Sequence, residues 1–384
     1  MNRDRFPGLA DGWARFDAPA GAQPVDSAIE AVAEFMRSGA VANQHGAFEA
    51  AARTDAVVTA AREAAARFVG GDPSGLVLGP SMTTLTLSFS AAVGRSLSAG
   101  DEIVCTRIDH DGNVAPWLIA AERAGATVRF AEPEPDTLEL PAAAVEAVLS
   151  ERTRWVAVTA ASNAVGTVPE LEGIVAAAHS AGARVYVDAV HAAPHRKLDV
   201  QALGCDALVC SAYKWFGPHQ SLLWVRPEVL SELSPDKLRP APDSDPERWE
   251  TGTPGFELMA GMAAAARYID ETGFDAIRSY EEPLFARMRD GLAGIGGVTV
   301  YGAARDRVPT LMFTIAGRTP HEVATALSAE RVAVWHGNYY AFELSTLLGL
   351  EPDGAVRAGI VHYNDEDDVQ RLLDGVERIA RGSA

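Results

Sequence analysis

Three side chains that can do acid–base and nucleophilic chemistry follow two apolar runs of the sequence. Val185–Val190 and Ala207–Ala212 have the length and composition of buried strands. Asp188 lies near the end of the first run, His191 lies just after it, and Lys214 lies just after the second. Because the carboxyl ends of parallel strands meet at one edge of a sheet, we expect these three side chains to lie together.

The residue types at this predicted edge suit Schiff-base chemistry. A lysine held in a partly desolvated slot keeps its neutral, nucleophilic amine accessible, so Lys214 can react with a cofactor aldehyde. An acid such as Asp188 can pair with a protonated ring nitrogen, which makes pyridoxal 5'-phosphate (PLP) an electron sink. Taken alone, Lys214 could be a surface lysine and Asp188 the cap of a turn. Other motifs must therefore decide between these interpretations.

Composition argues against several other classes of protein. The chain has 384 residues, of which 48% are hydrophobic, enough for a large core. Its net charge of −19 argues against nucleic acid or an anionic membrane as the main partner. The first residues contain no apolar segment of signal-peptide length, and no apolar run is long enough to span a bilayer. We therefore predict a soluble protein of the cytoplasm.

The cysteines point the same way. Cys105, Cys205 and Cys210 are too few and too irregularly spaced for a disulfide framework or a zinc site, so no metal is predicted. Cys105 and Cys210 fall within apolar runs that are predicted to be buried strands. A reducing compartment is the simplest environment for such a set.

The chain divides into three predicted regions. Residues 1–24 are predicted to be an irregular arm. Residues 25–255 alternate strands with helices, which is typical of a mostly parallel sheet covered on both faces, and residues 256–384 predict a smaller C-terminal α/β domain. The predicted strands are Leu76–Leu78, Ile103–Arg107, Thr127–Ala131, Trp155–Thr159, Val185–Val190, Ala207–Ala212, Val298–Tyr301, Leu311–Ile315, Val332–Trp335 and Val356–Val361. The predicted helices are Thr54–Phe68, Met82–Leu97, Val114–Ala124, Ala142–Leu149, Leu171–Ala181, Phe256–Glu271, Tyr280–Leu292 and Glu366–Ala380.

Four further motifs carry residues that suit a cofactor or an amino-acid substrate. Ser81 and Met82 join a strand to a helix, where backbone amides bind phosphate, although Ser81 could be an ordinary N-cap. His110 follows a strand and can stack on a flat cofactor, or it is a loop histidine. Asn163 can donate to a phenolic oxygen, or it belongs to a turn. Arg357 can grip a carboxylate through two hydrogen bonds, or it forms a surface ion pair.

In their residues and in their order along the chain, these motifs resemble those of the class V aminotransferase superfamily of fold type I PLP enzymes, in particular its cysteine desulfurase branch. The resemblance runs from about Phe16 to about Arg378. It implies a large domain with a mostly parallel, seven-stranded type of sheet between helices and a smaller C-terminal α/β domain. It also implies PLP as cofactor.

The resemblance assigns a role to each matching residue. It implies that the cofactor is bound by Ser81, Met82, His110, Asn163, Asp188, His191, Ser211, Lys214 and Thr253. Lys214 is then the Schiff-base lysine, and Ser81, Met82 and Ser211 contact the phosphate. Thr253 reaches the phosphate of a neighbouring subunit, which implies a homodimer with shared sites. Arg357 is then the residue that binds the substrate carboxylate.

Two positions depart from the family pattern. The family carries a mobile cysteine in a loop resembling G-H-H-C-A, whereas this chain reads WHGNYYA and places Tyr340 at the position of the cysteine. The histidine that precedes the family's lysine is Tyr213 here. Because a desulfurase needs a reactive thiolate, sulfur transfer is not the first expectation.

We predict instead a PLP-dependent β-elimination of the C–S lyase type on a cysteine-derived or other β-substituted amino acid. The catalytic side chains are expected to be Lys214, His110 and Tyr213, with Lys214 as general base. The substrate side is expected to be lined by Arg357, His336, Asn338, Tyr339 and Tyr340. Cysteine desulfuration, transamination, epimerisation and carbon–carbon chemistry remain as alternatives. A binding protein without activity is the alternative outside enzymes, and the presence of Lys214 and Asp188 argues against it.

Overall fold

A seven-stranded sheet lies at the centre of the larger part of the molecule in the computed structural model, which describes residues 2–39 and 41–382. The strands of the chain are β1 (Ala14–Arg15), β2 (Leu76–Gly79), β3 (Glu102–Thr106), β4 (Thr127–Ala131), β5 (Thr153–Thr159), β6 (Arg184–Asp188), β7 (Ala207–Ser211), β8 (Ser221–Val225), β9 (Val298–Tyr301), β10 (Thr310–Ile315), β11 (Val332–Ala333), β12 (Trp335–Gly337) and β13 (Ala355–Gly359). The order in this sheet is β2-β8-β7-β6-β5-β3-β4. Strands β3 to β7 pair in parallel, and β8 is antiparallel to both of its neighbours.

Helices cover the sheet on both faces, as alternating strands and helices require. The helices of the chain are α1 (Asp26–Arg37), α2 (Glu49–Val69), α3 (Met82–Gly94), α4 (Ala115–Ala124), α5 (Ala142–Glu146), α6 (Leu171–Ser180), α7 (Val200–Leu203), α8 (Pro227–Glu232), α9 (Phe256–Thr272), α10 (Phe274–Gly294), α11 (Pro320–Ala329), α12 (Phe342–Leu347) and α13 (Glu366–Ala380). The predicted fold class is confirmed: a mostly parallel seven-stranded sheet lies between helices, and smaller α/β structure follows it toward the C-terminus. Among the described residues, no helix combines the length and the apolar character needed to cross a membrane.

A second sheet follows in the C-terminal part of the chain. It has the order β12-β13-β10-β9, and all of its pairs are antiparallel. Helices α10, α11 and α13 pack with it around a separate apolar cluster that includes Phe313, Val356 and Leu372. Helix α9, in contrast, packs against α1 and α2 beside the large sheet. The division at residue 255 therefore remains a prediction, because the core of the large sheet continues beyond it.

The N-terminal arm contacts both sheets. Phe6 packs with Phe216 of the large-sheet core, whereas Phe16 belongs to the cluster of the second sheet. The arm was predicted to be irregular, but it contains β1, which pairs in parallel with β11. The backbone amide of Gly359 donates to the carbonyl of Phe16 at 3.0 Å, so the arm also lies along β13. The arm is therefore a structural part of both halves.

Several elements differ from the sequence-based predictions in their bounds or were not predicted. The predicted strand Val332–Trp335 is divided into β11 and β12, which belong to different sheets. Helix α10 begins earlier than predicted and includes Pro283 in its interior. Strand β8 and helices α1, α7, α8, α11 and α12 were not predicted. Four of the five residues of β8 are apolar, and so short a run carries no periodic signal to distinguish a strand from a buried helix segment.

Candidate active site

One cavity collects seven of the fifteen predicted site residues at the carboxyl ends of β5, β6 and β7. It spans about 420 Å³ of space, which includes its opening toward solvent. Its lining includes seven predicted residues: Met82, His110, Asn163, Asp188, His191, Tyr213 and Lys214. Thr83 and Thr159 line it as well and were not predicted. The parallel register explains the grouping, since Thr159 lies opposite Asp188 and Asp188 opposite Val209.

Lys214 lies on a single 3₁₀ turn, Ala212–Lys214, that continues directly from β7. Its Nζ donates a 2.9 Å hydrogen bond to the carbonyl of Ala20 and a second bond to the carbonyl of Pro19. Burial and the nearby Arg357 guanidinium lower the pKa of this amine to about 7, although Asp188 opposes the shift. Near neutral pH, a large share of Lys214 is therefore in the neutral, nucleophilic form.

The lowered pKa of Lys214 predicts how the apo protein takes up PLP. We expect the rate to be about tenfold lower at pH 6 than at pH 8 and to level off above pH 8, because the neutral fraction of an amine with a pKa near 7 follows that course. The measurement is the absorbance change after mixing apo protein with PLP. Nα-acetyl-lysine in solution is the control, and its rate should continue to rise beyond pH 9. A protein rate that also rises through pH 9 would contradict the prediction.

Asp188 is the last residue of β6, and its side chain is buried. Its Oδ1 accepts a 2.9 Å hydrogen bond from the amide of Val190, and no described residue donates to its Oδ2. Burial raises the pKa of Asp188 to about 6, against the effects of Val190 and Lys214. A buried carboxyl with one free oxygen suits a cationic donor, such as the protonated ring nitrogen of PLP.

The two cavity histidines are uncharged. Burial, with smaller effects of Lys214 and Arg357, lowers the pKa of His110 to about 3. The Nδ1 of His110 accepts a 2.9 Å hydrogen bond from Gly112, which fixes the plane of the ring. Burial also lowers the pKa of His191, whose Nε2 lies 3.0 Å from the Thr310 hydroxyl. His110 therefore presents a neutral, flat ring that can stack on a cofactor.

Of the predicted phosphate ligands Ser81, Met82 and Ser211, only Met82 lines this cavity, next to Thr83 of the same helix. Ser81 is the N-cap of α3, and its Oγ accepts a 3.1 Å hydrogen bond from the amide of Thr84. The Ser211 Oγ lies 2.7 Å from the Ser221 Oγ, and both residues are buried at the ends of β7 and β8. The amino end of α3 therefore faces the cavity, where its amides can bind phosphate.

Thr253 lies elsewhere. It is exposed in a neighbouring groove, together with Gly79 and Pro80 of the turn before α3. It does not line the cavity that holds Lys214. A contact between Thr253 and the cofactor of a partner subunit remains a prediction.

Arg357 lies on β13 and is 3% exposed. Its Nη1 donates a 2.9 Å hydrogen bond to the carbonyl of Asn163, and its guanidinium lies 4.5 Å from the centre of the Tyr339 ring. The Nε is buried and has no hydrogen-bond partner among the described residues. Burial lowers the pKa of Arg357 to about 10, so it stays charged. A substrate carboxylate would satisfy the free Nε in the two-bond geometry that guanidinium favours.

Replacing Arg357 with lysine is expected to raise KM about ten- to a hundredfold, with a smaller change in kcat. Lysine keeps the charge but cannot form two parallel bonds, and one charge-assisted hydrogen bond contributes about 1.5–3 kcal/mol. Steady-state kinetics on an amino-acid substrate would measure both constants. The exposed Arg267 provides the matched control, Arg267→Lys, which should leave KM unchanged. An unchanged KM in Arg357→Lys would argue against Arg357 as the carboxylate ligand.

Asn163 lines the cavity, but its amide is already engaged. Its Nδ2 donates a 3.0 Å hydrogen bond to the carbonyl of Tyr339, whereas its Oδ1 is buried without a partner among the described residues. The donor that the sequence analysis assigned to a phenolic oxygen is therefore held by the loop that carries Tyr339. Because Arg357 donates to the Asn163 carbonyl, Asn163 is hydrogen-bonded both to the loop that carries Tyr339 and to Arg357, which are the two predicted parts of the substrate site.

The loop that replaces the family's cysteine loop lies at the edge of the cavity. Tyr339 and Tyr340 both have left-handed backbones, with φ of 41° and 62°. The amide of Asp111 donates to the carbonyl of Tyr340 at 2.6 Å, and the Tyr340 ring lies 5.3 Å from that of His110. This strained conformation is therefore held by contacts to residues next to the predicted stacking histidine.

Two predicted substrate residues of this loop make contacts outside the cavity. His336 is exposed and lies 3.3 Å from the His321 ring nitrogen, and the Asn338 amide donates to Glu351 at 3.0 Å. Tyr340 is 68% exposed, so only its contact with His110 ties it to the site. Neither His336, Asn338 nor Tyr340 lines the cavity.

None of the three cysteines reaches the cavity. Cys105, Cys205 and Cys210 are all buried within the fold. Burial raises the pKa of each thiol, to about 12 for Cys205 and further for the other two. A thiol of this kind is inert, because only the thiolate attacks sulfur. No described cysteine is therefore placed to take sulfur from a substrate at Lys214.

The chain is similar to known proteins along nearly its whole length. The pattern of the family described as aminotransferase class V matches residues 15–372. A protein of Mycobacterium tuberculosis described as uncharacterized is 33% identical, over 97% of this chain and 96% of that protein. A cysteine desulfurase of Klebsiella pneumoniae is 32% identical, over 95% of this chain and 93% of that protein. The apo structure of a cysteine desulfurase from Thermococcus onnurineus NA1 matches with a TM-score of 0.92 and 27% identity, over 99% of this chain and 97% of that one.

Proposed function

Since the chain belongs to the class V aminotransferase family and its cofactor is PLP, we propose that it cleaves the Cβ–S bond of cysteine or of an S-substituted cysteine. The single observation that carries this proposal is the cavity that holds Lys214 and Asp188 together, with Arg357 bonded to its wall at Asn163. The names of the desulfurase relatives support sulfur amino acids as the substrate class.

The residues of the cavity fit PLP. Lys214 would hold the cofactor covalently, Asp188 would pair with its ring nitrogen, and His110 would cover its face. The phosphate would lie at the amino end of α3, beside Met82. When bound, PLP supplies an electron sink that makes the Cα proton of an amino acid acidic.

The chain's own residues would then position the substrate and move its protons. The free Nε of Arg357 would bind the carboxylate and so fix the direction of the amino acid. The amine of Lys214 would take the proton from Cα, as its lowered pKa allows. The Tyr213 ring lies 5.2 Å from the Lys214 Nζ, and burial raises the pKa of this phenol, so it stays protonated and can donate toward the leaving sulfur.

The sulfur has two possible fates, and different observations favour each. The desulfurase relatives favour desulfuration, an alternative in the sequence analysis, over β-elimination, which was the main prediction. The burial of all three cysteines favours β-elimination, because this chain offers no thiolate at the site. The two sets of observations agree if desulfuration occurs only with a thiol of another molecule.

The two reactions differ in their products. In β-elimination, cysteine and water give pyruvate, ammonia and hydrogen sulfide, and the electron pair of the broken Cβ–S bond leaves with sulfur. In desulfuration, an external thiolate attacks the substrate sulfur, an S–S bond forms, and the Cβ–S electron pair stays on Cβ, which takes a proton. The products are then alanine and a persulfide of the acceptor thiol.

The test is product analysis with PLP-loaded protein and L-cysteine, at increasing concentrations of dithiothreitol. Pyruvate whose yield does not depend on the added dithiol would establish β-elimination. Alanine that forms in proportion to the dithiol would establish desulfuration with an external acceptor. S-methyl- and S-allyl-cysteine form the matched panel, since they can undergo elimination but carry no free thiol. If neither pyruvate nor alanine forms from any of them, the proposed bond cleavage is wrong.

We further propose that the protein is a cytoplasmic homodimer. The dimer rests on the match of Thr253 to a residue that contacts a neighbouring subunit in the family, and the reducing compartment rests on the three free, buried cysteines. Light scattering after gel filtration of the PLP-loaded protein would measure the assembly, and a mass equal to one chain would contradict it.

A further inference from the structure

A second cavity lies away from the PLP cavity, between α10 and residues 303–309. It contains about 1260 Å³ of space that is open toward solvent. Five arginines line it: Arg196, Arg278, Arg289, Arg305 and Arg307. The protein as a whole carries a net charge of −19. The lining of this cavity is therefore opposite in charge to the protein as a whole.

The carboxylates of the cavity do not balance these charges. Only Glu281, Glu282 and Asp306 line it. Asp306 forms a two-bond pair with Arg196, and Glu281 is bonded to His195 at 2.7 Å. Glu282 makes one long contact to Arg278, at 3.8 Å. Arg289 pairs with Asp290 at 2.8 Å, outside the lining of the cavity, whereas Arg305 and Arg307 form no ion pair with any described carboxylate.

Arg307 is a cation of this cavity that has no carboxylate partner among the described residues. Its guanidinium donates only to backbone carbonyls, at 2.7 Å to Val165 and 2.9 Å to Thr310, and lies 5.0 Å from the centre of the Phe285 ring. Its Nε is buried, with no hydrogen-bond partner among residues 2–39 and 41–382. No described carboxylate pairs with it. Burial and the charge of Arg289 lower its pKa to about 10, so it remains a cation at neutral pH.

A half-buried cation without a counter-ion is costly unless a ligand compensates for it. Arg289 and Arg305 line the same cavity, and Arg305 forms no ion pair with any described residue. Several guanidinium groups around one space match the geometry of phosphate and carboxylate oxygens. A multivalent oxyanion would neutralise them together.

We propose that this cavity is a binding site for a small multivalent oxyanion, a phosphate ester or a polycarboxylate, separate from the PLP cavity. The proposal does not depend on the reaction at Lys214. The cavity nevertheless shares a wall with the active site, because His195 lines it and the His195 ring lies 6.0 Å from that of His191. Arg307 also bonds to Val165, two positions beyond Asn163.

The test is isothermal titration calorimetry on PLP-loaded protein, with inorganic pyrophosphate and citrate as probes. PLP loading occupies the cofactor's own phosphate site. The double variant Arg289→Gln/Arg305→Gln removes two guanidinium groups, of which only that of Arg289 has a described side-chain partner, the exposed Asp290. Since an exposed ion pair contributes little to stability, the thermal unfolding midpoint should not change. We expect its Kd to rise at least about a hundredfold, from about tenfold for each charge-assisted contact. Arg123→Gln, at an exposed position on α4, is the matched control and should bind like the unaltered protein.

The probes distinguish the source of the anion. Tighter binding of pyrophosphate would indicate a phosphate ester, and tighter binding of citrate a polycarboxylate. Three results would overturn the proposal: no heat from either probe at millimolar concentration, equal affinity in the double variant, or loss of binding in Arg357→Gln. The last result would mean that the probes bind at the predicted substrate arginine.

Discussion

The Lys214→Ala variant is expected to lose at least about 10⁴-fold in kcat/KM on cysteine-type substrates. Alanine removes both the amine that would hold the cofactor and the base that would take the Cα proton. No other lysine lines the cavity, so no neighbour among the described residues can replace it. The measurement is the initial rate of pyruvate or alanine formation, with PLP in excess.

A matched control separates this effect from a general effect of lysine removal. Lys197 is exposed and lies in the connection between β6 and β7, one strand before Lys214, so Lys197→Ala should keep full activity. Dialysis supplies a second readout: PLP should leave Lys214→Ala but stay bound to Lys197→Ala. Activity of Lys214→Ala within tenfold of the unaltered protein would contradict the assignment of Lys214.

The Asp188→Asn variant is expected to retain PLP but to lose about 10²- to 10³-fold in kcat. Breaking a buried charge pair costs about 3–5 kcal/mol, and an amide cannot stabilise a positive charge on the ring nitrogen. Because Lys214 is intact, the cofactor should still bind covalently. The loss should therefore appear in kcat rather than in the PLP content of the protein.

The charge-preserving variant Asp188→Glu tests whether charge or shape matters. It should recover part of the lost kcat, since the carboxylate remains while its position shifts. The unaltered apo protein gives a further check, because the pKa of Asp188 is raised to about 6. The infrared carboxylate band of this residue should therefore be lost as the pH falls through about 6. Equal kcat in Asp188→Asn and the unaltered protein would show that Asp188 does not pair with the cofactor.

The sequence was sufficient to predict the centre of the site because its residues follow strands that are easy to recognise. Lys214, Asp188 and His191 each come at or just after the end of an apolar run, and parallel strands bring such ends together. Asn163 follows β5 in the same way. The large sheet could be predicted for the same reason, apart from β8, whose apolar residues carry no periodicity.

Contacts between distant parts of the chain could not be predicted. The Lys214 amine donates to Pro19 and Ala20, residues of the arm that have no side-chain signal for this role. The bond from Arg357 to the Asn163 carbonyl likewise joins backbone to a side chain 194 positions away. The local hydrophobic pattern indicates which side of a segment is buried in the core. It does not indicate which distant segment packs against that side.

The substrate side was the least predictable part. Position in the resembled loop is what places His336, Asn338 and Tyr340 near the substrate, and this remains a prediction. The backbone is left-handed at Tyr339 and Tyr340. His336 contacts His321, and Asn338 donates to Glu351. A left-handed tyrosine is not indicated by sequence, because such a conformation depends on the tertiary contacts that hold it.

The N-terminal arm has a consequence for how the protein is made. Arg3 bonds to the carbonyl of Tyr363 and to Asp365 and Asp368, and Ala14–Arg15 pairs with Val332–Ala333. During synthesis on the ribosome, residues 3–16 emerge long before these partners exist. Residues 3–16 cannot make these contacts until residues 332–368 have followed, and closing so long a loop is slow. The arm is therefore expected to dock on the second sheet late in folding, and the same arm carries the carbonyl groups of Pro19 and Ala20 that contact Lys214.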